Sequence, residues 1–419
     1  MKAILSEQGN KILVYLLTVL IPLQVFFPFY RGKYITVFMA LTLLLFIDRN
    51  GLTEARQLWK DKILFYALFW LMLLTGFFYS GDKWDAFKHI FILGLGLPIY
   101  FIYKNVLGQR KIILKIFLWA SLPLALFIIL LFIKDAQKLQ ILSASWLRIF
   151  IDPKALQSLI DGTTYYNVLS TNKEGGLFLN ANDASIYMCF AIAVAGWLAL
   201  TEKKPAVYLA AGAIFILGLI FTGSYSGIYS FFIAVTVVTT LYFSRRSRVY
   251  KVILILALAI MFSFGGIKAF TALNPRYNND QFKFLGDNMV MHNRLPIWRA
   301  SVEVIKQHPW FGIGLDKDNW NASYNIFAPR YQAPLNTPPH NMYLFFWAKS
   351  GIFTLLLLVW FLFSNIRYLL VKFYRDNEIY CLAMFFCFIP LVLVGMTEAI
   401  PLMEIRILSA FFMLLGLAI

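Results

Sequence analysis

Long apolar runs recur along the whole chain, and they constrain its fold more than any other feature. An α-helix needs about 20 mostly apolar residues to cross a bilayer, or somewhat fewer where neighbouring helices shield its ends. About twelve such runs are legible: 12–30, 34–47, 63–79, 86–103, 112–133, 184–200, 206–221, 226–243, 249–270, 341–363, 379–397 and 401–418. Pro22, Pro98, Pro123 and Pro390 mark places where these helices bend or break. With 60% hydrophobic and only 14% charged residues, and a mean hydropathy of +0.69, no water-facing surface covers so much apolar area. The sequence predicts an all-α polytopic membrane protein. It excludes a disordered chain, a disulfide-rich secreted module and a cytosolic enzyme. Cys189, Cys381 and Cys387 all fall in apolar runs, so neither a disulfide framework nor a zinc spacing is present. No internal repeat is visible, and the first run is too long for a cleavable signal.

The formal charge of 38 − 21 = +17 is mostly an orientation signal and needs no nucleic acid. Alternate connections carry Arg49, Arg56, Lys60, Lys62, Lys104, Arg110, Lys111, Lys203, Lys204, Arg245, Arg246, Arg248, Lys251, Arg367, Lys372 and Arg375. The short connections of the opposite set hold little beyond Arg31, Lys33 and Lys83. The positive-inside rule then places both termini in the cytoplasm. It also divides the chain into residues 1–270 with nine spans and an outer loop at 134–183, a large outer loop at 271–340, and residues 341–419 with three spans. Long loops between packed helices usually carry function, and both long loops lie on the outer face.

The larger loop ends at Pro338-Pro339-His340-Asn341 and runs directly into an apolar span. Prolines suit a helix start, so His340 is expected in or beside the first turn. There the helix dipole disfavours imidazolium and leaves a neutral base at the membrane surface. A capping or packing histidine is the alternative. Upstream, Leu295, Trp298, Val302 and Ile305 recur at helical spacing, which predicts an amphipathic helix resting on the interface or the bundle, with Asn293 as its cap. Arg294 and Arg299 fall on opposite flanks of that stripe, and guanidinium forks suit pyrophosphate oxygens; lipid headgroups or nearby carboxylates are the competing partners.

Several further features have simpler readings. Asp316-Lys317-Asp318 is an Asp-x-Asp pair after a glycine-marked turn, more often a turn former than a metal site. Thr222-Gly223-Ser224-Tyr225-Ser226-Gly227 has tyrosine where a nucleophile elbow needs serine; its small residues allow close helix approach and its hydroxyls can line a polar pocket. Asn182 or Asp183 is expected to cap the span that follows it, and Glu398 to pair with Arg406. Lys88, His89 and Arg148 are further outer-face cations, not separable from headgroup contacts.

Taken together, several segments resemble the bacterial O-antigen ligase and polymerase superfamily. They are Arg294-Leu295-Pro296-Ile297-Trp298, Gln307-His308-Pro309-Trp310-Phe311-Gly312-Ile313-Gly314, His340-Asn341-Met342-Tyr343-Leu344 and Lys349-Ser350-Gly351-Ile352. The resemblance covers chiefly residues 170–360 and includes Gly176-Leu177-Phe178 to Asn182 and Thr222-Gly223-Ser224. It implies a GT-C-like bundle in the bacterial inner membrane and inverting glycosyl transfer on its periplasmic side, with no cofactor and no metal. The implied donor is an oligosaccharide on undecaprenyl pyrophosphate, and the ligase acceptor is a sugar hydroxyl of lipid A-core. His340 becomes the general base, Arg294 and Arg299 the phosphate ligands, and Asp316, Glu398 and Asn341 the candidates for orienting it. Where the family commonly has arginine this chain has Tyr225, which shifts one phosphate contact to Arg148, Arg294 or Arg299. The chain ends directly after its last span, which favours a ligase over a repeat-unit polymerase or a protein O-oligosaccharyltransferase using the same donor. A lipid or polysaccharide transporter is the alternative from another class, but it would call for related halves and ionisable groups at mid-membrane depth.

Overall fold

The computed structural model describes residues 7–30, 33–48, 63–151, 153–161, 173–244, 289–398 and 401–419. The run at 249–270 and the cations Arg31, Arg49, Arg56, Lys60, Lys62, Arg245, Arg246, Arg248 and Lys251 lie outside the described residues. The fold is all-α apart from one short hairpin. In chain order the first elements are α1 (Glu7–Leu23), β1 (Phe26–Tyr30), β2 (Lys33–Thr36), α2 (Val37–Asp48), α3 (Leu64–Tyr79), α4 (Lys83–Gly94), α5 (Gly96–Lys104) and α6 (Arg110–Ile133). Then follow α7 (Lys138–Leu142), α8 (Pro153–Ile160), α9 (Ala181–Thr201), α10 (Pro205–Phe221), α11 (Tyr225–Ser244), α12 (Met289–Gln307) and α13 (Lys317–Phe327). The last four are α14 (Met342–Ser350), α15 (Ile352–Asp376), α16 (Tyr380–Gly395) and α17 (Ile405–Gly416).

Among the described residues, five stretches are long and apolar enough to cross a membrane: Lys83–Lys104, Leu107–Ile133, Ala181–Thr201, Tyr225–Phe243 and Ile352–Asp376. Shorter apolar helices, including α3, α10, α16 and α17, complete a multi-pass bundle around one large hydrophobic core. Four expected runs are rearranged. The run 12–30 stops at Leu23, and the chain turns into an antiparallel hairpin that pairs Phe26 with Thr36. The 86–103 run bends at Leu95, three residues before Pro98, which has no N–H to give Gly94. The last run gives way to a short 3-10 turn at Pro401–Met403, and its helix begins only at Ile405. The 341–363 run splits at Gly351. Gly351 has φ +85° and lies so close to the Trp310 carbonyl that a Cβ would collide with it. Only α15 is long enough to span; α14 is a short helix of the loop layer.

The two ends of the bundle differ in chemistry. At one end, ion pairs join neighbouring connections: Arg110 to Glu378 at 3.0 Å and Lys115 to Glu202 at 2.9 Å. At the other end lie the starts of α4, α9 and α14, the turn between α10 and α11, and two satellite cores. One is built from Leu131, Leu142, Leu147, Ile151, Leu156 and Leu179 and seats the loop after α6. The other joins α12, α13 and α14 through Ile297, Ala300, Val304, Trp320, Tyr324 and Ala348. The buried face of α12 is therefore only partly the expected one, keeping Ile305 but leaving out Leu295 and Val302. Ile297, Ala300, Ser301, Val304 and Ile305 are buried, while Leu295 and Val302 are exposed. The helix is apolar on two adjacent stripes, and packing against α13 and α14 selects between them. It also begins at Met289, so Asn293 lies inside the helix and is not its cap.

Candidate active site

The site begins with how α14 starts. Asn341 is its N-cap: the side-chain oxygen accepts from the Tyr343 and Leu344 N–H groups, each at 3.0 Å. His340 precedes the cap with φ +46°, a left-handed conformation that a non-glycine residue adopts at a cost of about 1 kcal/mol. The Asn341 amide then donates to the Met396 carbonyl at 3.2 Å, fastening the α14 start to the turn after α16. That turn carries Glu398. Its carboxylate Oε2 comes to 4.0 Å from His340 Nδ1, a buried atom with no hydrogen-bond partner among the described residues.

Glu398 is the hub. Its Oε1 accepts from the Asn182 side-chain amide and lies 3.6 Å from Arg294 Nη2. Asn182 stands in the first turn of α9, whose N-cap is Asn180: the Asn180 side chain accepts from the Asn182 N–H at 2.9 Å. The expected caps, Asn182 and Asp183, are instead the second and third helical residues. Freed from capping, the Asn182 amide spans the site. Its oxygen accepts from Ser224 Oγ at 2.6 Å while its nitrogen serves Glu398. Gly227 lets α11 approach α9 closely, because a Cβ there would strike Ser185. The small residues and hydroxyls of the 222–227 turn thus do line a polar pocket.

A second cation arrives from the other long loop. The Glu174 N–H donates to the Thr222 carbonyl at 3.0 Å, and the buried Glu174 carboxylate pairs with Lys138 at 2.5 Å, itself paired with Asp135 at 2.9 Å. This stitching sets Lys173 beside Arg294 and Glu398. Burial lowers the pKa of Lys173, and Arg294 lowers it further while Glu398 opposes both. Burial also lowers Arg294, against Glu398. His340 is held below its usual 6.5 chiefly by burial, which outweighs the pull of Glu398; Arg294 and Lys173 add to the depression. The imidazole is therefore neutral at pH 7, through desolvation and the neighbouring cations. Among the charged groups that act on His340, one carboxylate faces two cations, so the base sits beside a net positive charge. Such a place suits an anionic leaving group and a hydroxyl that must lose a proton.

The other expected residues fall elsewhere. Arg299 is five residues from Arg294, about 140° around the helix, and exposed. Arg148 is exposed on the 3-10 turn Ser145–Ile149. Among the described residues neither makes an ion pair with the Glu398 group. Tyr225 opens α11 next to Ser224 and packs half-buried against the main core. Asp316 is fully buried and caps α13, its two oxygens accepting from the Asn319 and Gly81 N–H groups at 2.8 and 3.0 Å. Its carboxylate is committed to backbone and orients nothing near His340. Arg406 does not pair with Glu398. It binds Glu404 at 3.0 Å, the Pro22 carbonyl at 3.0 Å and the Phe150 carbonyl. Lys173 was missed by sequence reasoning, as was the Asn182 clamp, since neither sits in a spacing that points to Glu398.

Residues 210–359 match the family described as O-Antigen ligase. The match supports the resemblance to the O-antigen ligase and polymerase superfamily. It runs from α10 into α15, taking in Ser224, Arg294 and His340 and leaving Lys173, Asn182 and Glu398 outside. No curated protein matches the chain.

Proposed function

We propose, starting from this similarity to O-antigen ligases, that the chain transfers a polysaccharide from undecaprenyl pyrophosphate to a sugar hydroxyl of lipid A-core. The site then opens to the periplasm from the inner membrane, with both termini cytoplasmic. The observation that carries the reading is the His340 imidazole: neutral, with a buried Nδ1 that has no hydrogen bond among the described residues, facing Glu398 and flanked by Arg294 and Lys173.

The chemistry follows from that arrangement. With Nδ1–H turned to Glu398, Nε2 is free to accept the proton of the incoming hydroxyl. The hydroxyl oxygen attacks the anomeric carbon as its bond to the pyrophosphate oxygen breaks, inverting the centre. Undecaprenyl pyrophosphate leaves with the electron pair, and Arg294 and Lys173 stabilise its growing charge. Glu398 stabilises the imidazolium that forms. The contact of 4.0 Å shortens as the imidazole becomes charged, as loose catalytic contacts commonly do when substrate binds.

The test supplies purified protein with undecaprenyl-pyrophosphate-linked polysaccharide and, separately, lipid A-core, a nonreducing glycan end and an acceptor protein. Product on lipid A-core that disappears in His340→Ala supports the reading. Product on a glycan end or on protein makes the chain a polymerase or a protein oligosaccharyltransferase. Undiminished transfer by His340→Ala overturns the base assignment.

A further inference from the structure

A second cavity, of about 530 Å³, opens at the same end of the molecule between the end of α3, the turn after α12, and α13. Its wall includes Tyr79 and Trp310, which stay 57% and 60% exposed, and the side chains of Gln307, His308 and Ser323. Among the described residues those last three have no hydrogen bond to protein. No Asp, Glu, Lys or Arg lines the cavity, so it offers a phosphate or a metal ion no counter-charge. The contrast is the 630 Å³ cavity between α9, α10, α11 and α16, walled by groups such as Leu200, Leu209, Val238 and Phe386, which suits a hydrocarbon chain. Broad aromatic faces beside uncommitted side-chain donors and acceptors match a ligand with apolar C–H faces and a girdle of hydroxyls, which is a sugar.

Backbone bonds fix this cavity relative to His340. Ile313 and Gly314 N–H groups donate to the Ala348 and Lys349 carbonyls, and Ile352 N–H donates to the Pro309 carbonyl, all at 3.0 Å. Trp347 Nε1 also donates to the Pro309 carbonyl at 3.1 Å. The cavity wall is thus strapped to the C-terminal end of α14, and His340 stands before its N-terminus. Nine helical residues at about 1.5 Å each separate the two by about 14 Å, the reach of about three pyranose rings.

We propose that this cleft is a glycan-binding subsite that grips an oligosaccharide about three residues from the bond being made. The spacing argument rests on the transfer reading above, whereas the aromatic lining stands without it.

The test measures binding by calorimetry on the full chain in nanodiscs. One probe is the polysaccharide that mild acid releases from the envelope of the cells that make this protein; the other is core oligosaccharide from the same preparation. Wild type and His340→Ala should bind equally, which separates this claim from the catalytic one. Trp310→Ala and Tyr79→Ala should weaken binding at least tenfold. Ala322→Trp, which fills the cleft from its exposed rim and removes no packing contact, should abolish it with the unfolding temperature unchanged. Binding of the polysaccharide marks the cleft as a donor-glycan subsite, and binding of the core oligosaccharide as an acceptor subsite. Equal affinity in wild type and Ala322→Trp, or no glycan binding by wild type, overturns the proposal. Glycan binding by a protein that transfers nothing would leave the cleft standing and remove the catalytic reading.

Discussion

The two ends of α14 each carry an ionisable group with a buried nitrogen, and they treat it in opposite ways. At the C-terminal end Lys349 is buried, with Nζ donating to the Leu315 and Asp316 carbonyls at 2.5 and 2.7 Å and lying 5.0 Å from the centre of the Phe345 ring. The Asp316 carboxylate beside it is equally satisfied by two N–H groups. At the N-terminal end His340 Nδ1 has no hydrogen bond among the described residues, and the Glu398 carboxylate stands 4.0 Å away. A buried polar group with full partners stabilises one conformation; one without partners is destabilising unless a ligand supplies them. Lys349 is therefore a staple that holds the 312–316 turn to α14. His340 is poised to act. Burial separates them as well: Lys349 is 4% exposed, whereas the His340 side chain is 33% exposed.

The comparison can be broken most decisively at its ends. His340→Ala should cut transfer by about 100- to 10,000-fold while leaving membrane insertion and thermal unfolding intact, as measured by product formation and a melting curve. Lys349→Met should do the reverse. It orphans two carbonyls, so it should lower stability by about 2–5 kcal/mol in denaturant or thermal unfolding, with activity falling only in proportion to folded protein. A Lys349 variant that is fully stable yet inactive would make both ends functional. Removing a cation from the pocket, as in Arg294→Ala, should cost about 100- to 1,000-fold in kcat.

The pH profile sharpens the same contrast. Because burial depresses His340, the acid limb of kcat/KM should have its midpoint below 6.5. Glu398 raises the histidine pKa, so Glu398→Gln should move that limb to lower pH and reduce the rate about 100-fold. Lys173 lowers it, so Lys173→Met should move the limb to higher pH. Shifts of the same sign in both variants would remove the imidazole from the rate. The smallest effects belong to the arginines outside the cluster. Arg148→Ala and Arg299→Ala should change stability by about 0.5 kcal/mol or less and leave the transfer rate near wild type.

Much of this was legible before any coordinates, but unevenly. Spans with a clear apolar length, such as α3, α6 and α9, fall where hydropathy puts them, because a helix in lipid satisfies its backbone within itself and needs only a continuous apolar surface. Breaks were harder. The split at Gly351 depends on Trp310 arriving from another segment, and nothing in the run 341–363 announces it. On α12 two apolar stripes were equally periodic, so the pattern favoured Leu295 and Val302 while the neighbouring helices took Ile297 and Val304.

For the site, the sequence by itself determined the membrane class, the clustering of polar residues at the loops and the candidates His340, Arg294 and Glu398. These are properties of residue type and local spacing. Tertiary structure alone decided which of them meet: Asn182 reaches Glu398 across 216 residues, Lys173 is brought in by its neighbour Glu174's backbone bond to Thr222, and Asp316 and Arg406 are drawn off to other partners. The physical reason is that a charge in a low-dielectric pocket is defined by what surrounds it, and the surroundings exist only once distant loops are brought together by closure of the bundle.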